Sequence, residues 1–233
     1  MEHVEGVHRV PGVRGANAYL LTFGPLTLVD CGLPGSGRAI IDFLAALGHP
    51  PDALQRILLT HRHPDHCGAA TYLRQRTGAE VCAHAAETEV VGELRVVRGT
   101  LNLGGAIVDR LLEDGEELPG GIRAVHCGGH TAGSLSYYVP ARGLLFLGDM
   151  AINNVDRLSR PIAFSNEDSD AYERGLERLA ALGAEAGFFG HGPPLTQGLS
   201  SALTALCQRP RSPLWRALLR YAFLRLRHPF GRD

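Results

Sequence analysis

Lysine is missing from this chain of 233 residues, whose 23 basic side chains are all arginine. The absence excludes Schiff-base chemistry and a phosphate-binding loop built on lysine. Cysteine is sparse and scattered: Cys31, Cys67, Cys82, Cys127 and Cys207 are odd in number and never form a C-x-x-C pair. That excludes a disulfide framework and a cysteine-based zinc finger, so reduced, mostly buried thiols and a cytoplasmic setting are expected. No apolar run approaches the length of a membrane span, and MEHVEGVHRV lacks the charged-then-apolar pattern of a signal peptide. Net charge is nearly absent too. At −1 it gives no electrostatic reason to expect a nucleic-acid partner.

What is present is an ordinary globular composition, 45% hydrophobic and 20% charged, on a chain long enough to bury a sizeable core. VEGVHRV, NAYLLTF and LTLVDCG read as strands broken by Pro11-Gly12 and Gly24-Pro25. SGRAIIDFLAALG has apolar residues at helical spacing and a stop at Gly48. RILLT predicts a strand, PDHCGAATYLRQRTG a single helix closed by Gly78, and AEVCAHA a further strand. From Ala86 to about Asp114 the pattern predicts a helix or two with a break at Gly104-Gly105. Strands return at GIRAVHC, SLSYYVP and GLLFLGD, followed by an irregular stretch from Asn153 to Asn166. A helix, SDAYERGLERLAALG, leads to the strand AGFFGHG and to C-terminal helices. No linker or low-complexity segment divides residues 1–233, so two β-rich halves flanked by helices predict one α/β domain, a sandwich of two sheets with helices outside.

The stretch THRHPDHCG, just after RILL, is the densest polar cluster. His61 and His63 are two apart and face the same way in extended backbone, while Asp65 and His66 follow across the turn into a helix. A histidine-rich surface loop would explain these residues alone. It does not explain Asp30, His130, Asp149 and His191, each a polar residue within two positions of a glycine where a predicted strand ends. Imidazoles and carboxylates gathered in a small volume suit zinc or another first-row metal better than calcium or magnesium.

The segments VDCGLPG, THRHPDH, CGGHTAGS, FLGDM and FGHGPP, in that order, resemble the motifs of the metallo-β-lactamase superfamily of metallohydrolases. The resemblance implies a four-layer αββα sandwich with the site at one edge of the sheets. It also implies two divalent metal ions, with zinc expected and iron or manganese as alternatives. Carried over residue by residue, His61, His63 and His130 hold the first ion, Asp65, His66 and His191 the second, and Asp149 bridges them. Asp30 supports the site without ligating. A hydroxide shared by the two ions would attack a small ester, thioester or lactone, with Asp65 as the catalytic residue that orients it and takes its proton. The alternative on the same ligands is an iron-dependent oxidoreductase, either a persulfide dioxygenase or a di-iron type. A non-catalytic member is not expected, because every ligand position is intact.

Several branches fit less well. Asp149 stands where one major class of true β-lactamases has a cysteine, and another class lacks the bridging aspartate. The short interval between Asp149 and His191 leaves no room for the extra domain of nucleic-acid-processing members. The basic glutathione-binding segment of glyoxalase II has no evident match, and Ile152 replaces the tyrosine of acyl-homoserine lactonases. A glyoxalase II-like or lactonase-like layout acting on a small-molecule substrate remains. Leu101, Leu103, Ile107, Val108, Leu111, Leu112, Ile162 and Phe164 are candidate walls of an apolar acyl pocket, equally readable as core.

Residues 211–228 predict a basic amphipathic C-terminal helix, with Arg216, Arg220 and Arg227 near one face and Leu214, Leu218, Tyr221 and Leu224 nearer the other. The expectation is a helix packed on the domain with its arginines solvated, ahead of a homodimer contact and of a membrane surface.

Overall fold

The computed structural model describes residues 2–100, 105–162 and 165–211. The predicted helix at 211–228, with Leu101, Leu103 and Phe164, lies almost wholly outside the described residues. One sheet contains β1 (Glu2–Val4), β2 (Val7–Arg9), β3 (Tyr19–Leu21), β4 (Thr27–Val29), β5 (Arg56–Leu58) and β6 (Glu80–His84). A separate hairpin of β7 (Thr88–Val91) and β8 (Leu94–Val97) then precedes the sheet's last strand, β9 (Arg110–Leu112). Pairing is antiparallel from β1 to β4 and parallel from β4 to β9. The parallel connections carry α1 (Gly37–Ala46), then α2 (Pro64–Cys67) and α3 (Ala70–Thr77). The second sheet runs β10 (Glu117–Leu118), β11 (Ile122–His126), β12 (Leu135–Val139) and β13 (Leu144–Gly148), closed by β16 (Ala186–Phe189) parallel to β13. Between β13 and β16 lie the small hairpin of β14 (Ile152–Asn153) and β15 (Leu158–Ser159) and helix α4 (Ser169–Ala180); α5 (Leu199–Gln208) follows.

Strand alternation dictates the layering, because neighbouring side chains leave a strand on opposite faces. In β4 and β5, Leu28 and Ile57 join the core under α1 and α3, whereas Val29 and Leu58 face the other sheet. In β13, Leu144 and Phe146 point between the sheets, and Leu145 and Leu147 pack toward α4 and α5. Such strands are apolar on both faces, which explains the continuous runs RILL and GLLFLG. Three apolar layers between four structural layers make the αββα sandwich.

Local readings failed where short elements met special backbone. VEGVHRV is a hairpin rather than one strand, turning at Gly6 with φ of 73°. The helix expected over PDHCGAATYLRQRTG is two pieces, α2 and α3, parted where Ala69 leaves the helical region at φ −97° and ψ 0°; the preceding Gly68 packs against Pro34, and a Cβ there would come within 2.3 Å of the proline ring. The helices expected between Ala86 and Asp114 are the β7–β8 hairpin and β9. The hairpin's β-branched residues, Thr88, Val90, Val91, Val96 and Val97, favour the strand. The irregular stretch after Asn153 contains the β14–β15 pair.

Candidate metal centre

The sheets meet at the edge where β4, β5, β11, β13 and β16 all end. Leu135 N–H donates to the Thr60 carbonyl at 2.8 Å, Tyr137 Oη to the Leu59 carbonyl at 2.6 Å, and Tyr19 Oη to the Phe189 carbonyl at 2.9 Å. These bonds stitch one sheet's strand ends to the other's. Gly148, at φ of 54°, lets Thr60 approach so closely that a Cβ would sit 2.8 Å from the Thr60 Cβ. A Cβ on Gly190 would meet Asp149 Oδ1 at 2.5 Å and His66 Cε1 at 2.6 Å.

The chain leaves β5 through His61 and an extended His63, and Pro64 starts α2. Asp65 lies in its first turn, where a negative charge is favoured by the helix dipole. His63 Nδ1 stands 2.9 Å from His61 Nε2 and 3.1 Å from His130 Nε2. Potential donor atoms of His61, His63, His130 and Asp149 all lie within 4.8 Å of one another, as do those of Asp65, His66 and His191. Asp149 stands between the sets: Oδ1 is 3.3 Å from His66 Nε2, and Oδ2 is 3.6 Å from both His130 Nε2 and His191 Nε2. His191 Nε2 is also 3.3 Å from Asp65 Oδ2. All seven residues singled out in the sequence therefore converge.

Hydrogen bonds from behind aim the rings. Asp30, at φ of 56°, accepts from Thr60 N–H and Thr60 Oγ1, both at 2.8 Å, and from His66 Nδ1 at 2.7 Å. His130 Nδ1 donates to Asn166 Oδ1 at 2.9 Å. With their protons on Nδ1, His66 and His130 turn the Nε2 lone pair toward the cluster. Thr60 and Asn166 escaped the sequence reading. Thr60 adjoins the motif it serves, but nothing in the chain pattern links Asn166 to a ring 36 positions away.

The arrangement fits cations. A single proton on His63 Nδ1 can serve only one of its two neighbouring nitrogens, whereas an ion among the three serves all. Ligand atoms held tetrahedrally at about 2.0–2.1 Å from a metal stand roughly 3.3 Å apart, close to the spacings here. His66 Nε2 and Asp149 Oδ1 are buried without a hydrogen-bond partner, a costly state that coordination removes. Burial lowers the pKa of His61, His63 and His130, that of His63 to about 4, which keeps them in the neutral form a metal needs. Burial alone would raise the Asp149 pKa, but His66, His61 and His191 outweigh it and hold the carboxyl well below the usual range.

Burial holds the thiols of Cys67 and Cys127 protonated. Cys67 is fully buried, its Sγ donating to the Arg62 carbonyl at 3.3 Å, and burial pushes it far up; Cys127 is pushed up to about 12. Of the residues considered as pocket walls, Val108 and Leu112 are core and Leu111 packs against it, whereas Ile162 is exposed. The acyl-pocket reading fails for the first three because their side chains are taken up by the packing around β9.

Fold, motif order and this centre together define a metallo-β-lactamase fold. The superfamily's model matches residues 11–191, and the chain belongs to the metallo-beta-lactamase superfamily. Among its relatives, hydroxyacylglutathione hydrolase of Pseudomonas aeruginosa is 38% identical over 120 residues, covering 50% of this chain and 40% of that protein. The chain spans less than two thirds of the length of the curated relatives it matches first. In structure it is similar to the metallo-beta-lactamase family protein TTHA1429 of Thermus thermophilus (TM-score 0.68, 24% identity, 95% of this chain and 82% of that one). It is also similar to TTHA1623 in a di-iron-bound form (TM-score 0.61, 28% identity, 80% and 92%). No helix among the described residues is long and apolar enough to cross a membrane.

Proposed function

We propose that the protein is a binuclear metal-dependent hydrolase of a small ester, thioester or lactone. The observation that carries the reading is the position of Asp149, its carboxylate within 3.6 Å of His66, His130 and His191 and so shared by two donor sets. His61, His63 and His130 would hold one ion, Asp65, His66 and His191 the other, and Asp149 would bridge. Two such ions, when bound, supply a water made acidic enough to ionise near neutral pH and an electrophile for the substrate's carbonyl oxygen. Zinc suits the nitrogen-rich set. Asp65, 3.3 Å from His191 Nε2 and partly exposed, faces the open side of the centre, where it orients the attacking water and accepts its proton. Asp30, bonded to Thr60 and to His66 Nδ1, holds the His66 ring in place. An acyl carbonyl is favoured as the electrophile by the hydroxyacylglutathione hydrolase among the relatives.

A second reading, an iron-dependent oxidoreductase, is favoured by the di-iron form of a structural neighbour and by donors that serve iron as well as zinc. Protein purified without added metal decides between them. Near two equivalents of zinc, with turnover on a panel of lactones and thioesters, supports the hydrolase; stoichiometric iron with oxygen uptake on glutathione persulfide rules it out.

A further inference from the structure

The hydrolase reading leaves the buried carboxylate of Glu87 unused. This residue closes the short 3-10 turn Ala85–Glu87 after β6 and is 1% exposed. Its Oε2 accepts the Arg62 N–H at 2.7 Å, and its Oε1 accepts the Gly133 N–H at 2.6 Å. Arg62 lies between His61 and His63; Gly133 lies three residues beyond His130. One side chain thus ties together, at the backbone, the loops that carry all three histidines of one donor set, one loop from each sheet. Its own turn is anchored, since Arg98 N–H donates to the Glu87 carbonyl at 2.8 Å. The fit is close: a Cβ on Gly133 would come within 2.8 Å of Glu87 Cγ, 2.9 Å of Oε1 and 2.9 Å of His84 Nδ1.

We infer that Glu87 is a positioning residue that sets the spacing of the His61/His63 loop against the His130 loop, and thereby the cation affinity of the three-histidine set alone. The inference rests on the metal reading above. Asp30 supports both sets, through His66 Nδ1 and through Thr60, whose Oγ1 lies 3.1 Å from His61 Nδ1, whereas the Glu87 carboxylate bonds to the loops of the three-histidine set. Two backbone N–H groups from different loops converge on one buried side chain, and only a carboxylate offers an acceptor to each. An amide keeps the shape but turns an NH2 group toward one of the donors, so one loop is released and the fold is kept.

The test is cobalt(II) titration of the full-length apoprotein, followed by the d–d bands and by the shifted ring N–H proton signals, three from His61, His63 and His130 and two from His66 and His191. In Glu87→Gln the three-histidine signals should need about 10–100 times more cobalt to appear, the usual cost of losing such support. The His66 and His191 signals should titrate as in the wild type, whereas Asp30→Asn, which loosens Thr60 behind His61 as well as His66, should weaken both sets. In Glu87→Gln, equal weakening of both sets or a wild-type titration overturns the inference. If Glu87→Gln does not fold, Gly133→Ala, which crowds the same carboxylate from the opposite side, must show the same selectivity or the inference is wrong. Wild-type protein that takes up no cobalt overturns the metal reading and this inference with it; wild-type uptake at both sets beside an unaltered Glu87→Gln overturns only this one.

Discussion

At the scale of residues, the side chains of the centre divide into those that point donors inward and those that hold the donors still. His61 and Asp149 are of the first kind. His61→Ala or Asp149→Ala should abolish hydrolysis and lower bound metal, and either variant keeping full activity with two ions would refute the assignment. Asp30 is of the second kind, bonded to Thr60 and His66. Asp30→Asn retains the size and some of the bonding, so metal affinity or activity should fall about 10–100-fold without the site emptying; metal analysis that finds none bound would contradict this. Cys67 adjoins His66 in sequence yet is buried with its thiol held protonated. Cys67→Ala should keep measurable turnover, and a dead, folded, metal-loaded variant would show that the thiol has a chemical role.

Elements impose their own constraints. Asp109, just before β9, accepts Arg74 Nη2 at 2.7 Å and Nε at 2.9 Å from α3, and the Val81 N–H of β6 at 3.0 Å. One carboxylate therefore links helix and two strands. Partial burial would raise its pKa, but the bonds from Arg74 and Val81 outweigh that and hold it below the usual value. A depressed folded pKa means that the stabilisation is present above the unfolded value of about 3.9 and is lost as pH falls through the folded value. Asp109→Asn should therefore melt below the wild type at pH 7. The gap should close as the pH drops below about 4, and a gap that stays constant with pH would mean that ionisation is not the cause. Gly190 is the comparable constraint at the end of β16. Since a Cβ there would strike Asp149 Oδ1 and His66 Cε1, Gly190→Ala should lose metal while keeping its secondary structure by circular dichroism.

For the whole molecule, the centre couples metal to stability. Donors from both sheets converge where the strands end, so an ion that binds only the folded state should clamp the halves of the sandwich together. Binding at a thousandfold excess over Kd stabilises by about 4 kcal/mol. Chelation should accordingly lower the melting temperature by several degrees, and added zinc should restore it. A melting temperature indifferent to both would exclude tight binding at the buried donors.

Strong local signals were legible in the chain: the doubly apolar strands RILL and GLLFLG, helices α1 and α4 with their periodic apolar faces, and the polar residues near glycine at strand ends. Those signals are local because burial on both faces, or on one helical stripe, writes itself into neighbouring residues. The seven side chains that converge come from motifs after four strands: His61, His63, Asp65 and His66 after β5, His130 after β11, Asp149 after β13 and His191 after β16. Tertiary structure alone decided the rest. The β7–β8 hairpin displaced an expected helix, and a departure from helical backbone at Ala69 parted α2 from α3. Val108 and Leu112 became core instead of pocket wall. Thr60, Asn166 and Glu87 found hydrogen-bond partners up to 75 residues away, as Leu135 is from Thr60. A hydrogen bond between distant segments leaves no period and no spacing in the chain; it exists only once packing brings donor and acceptor within about 3 Å.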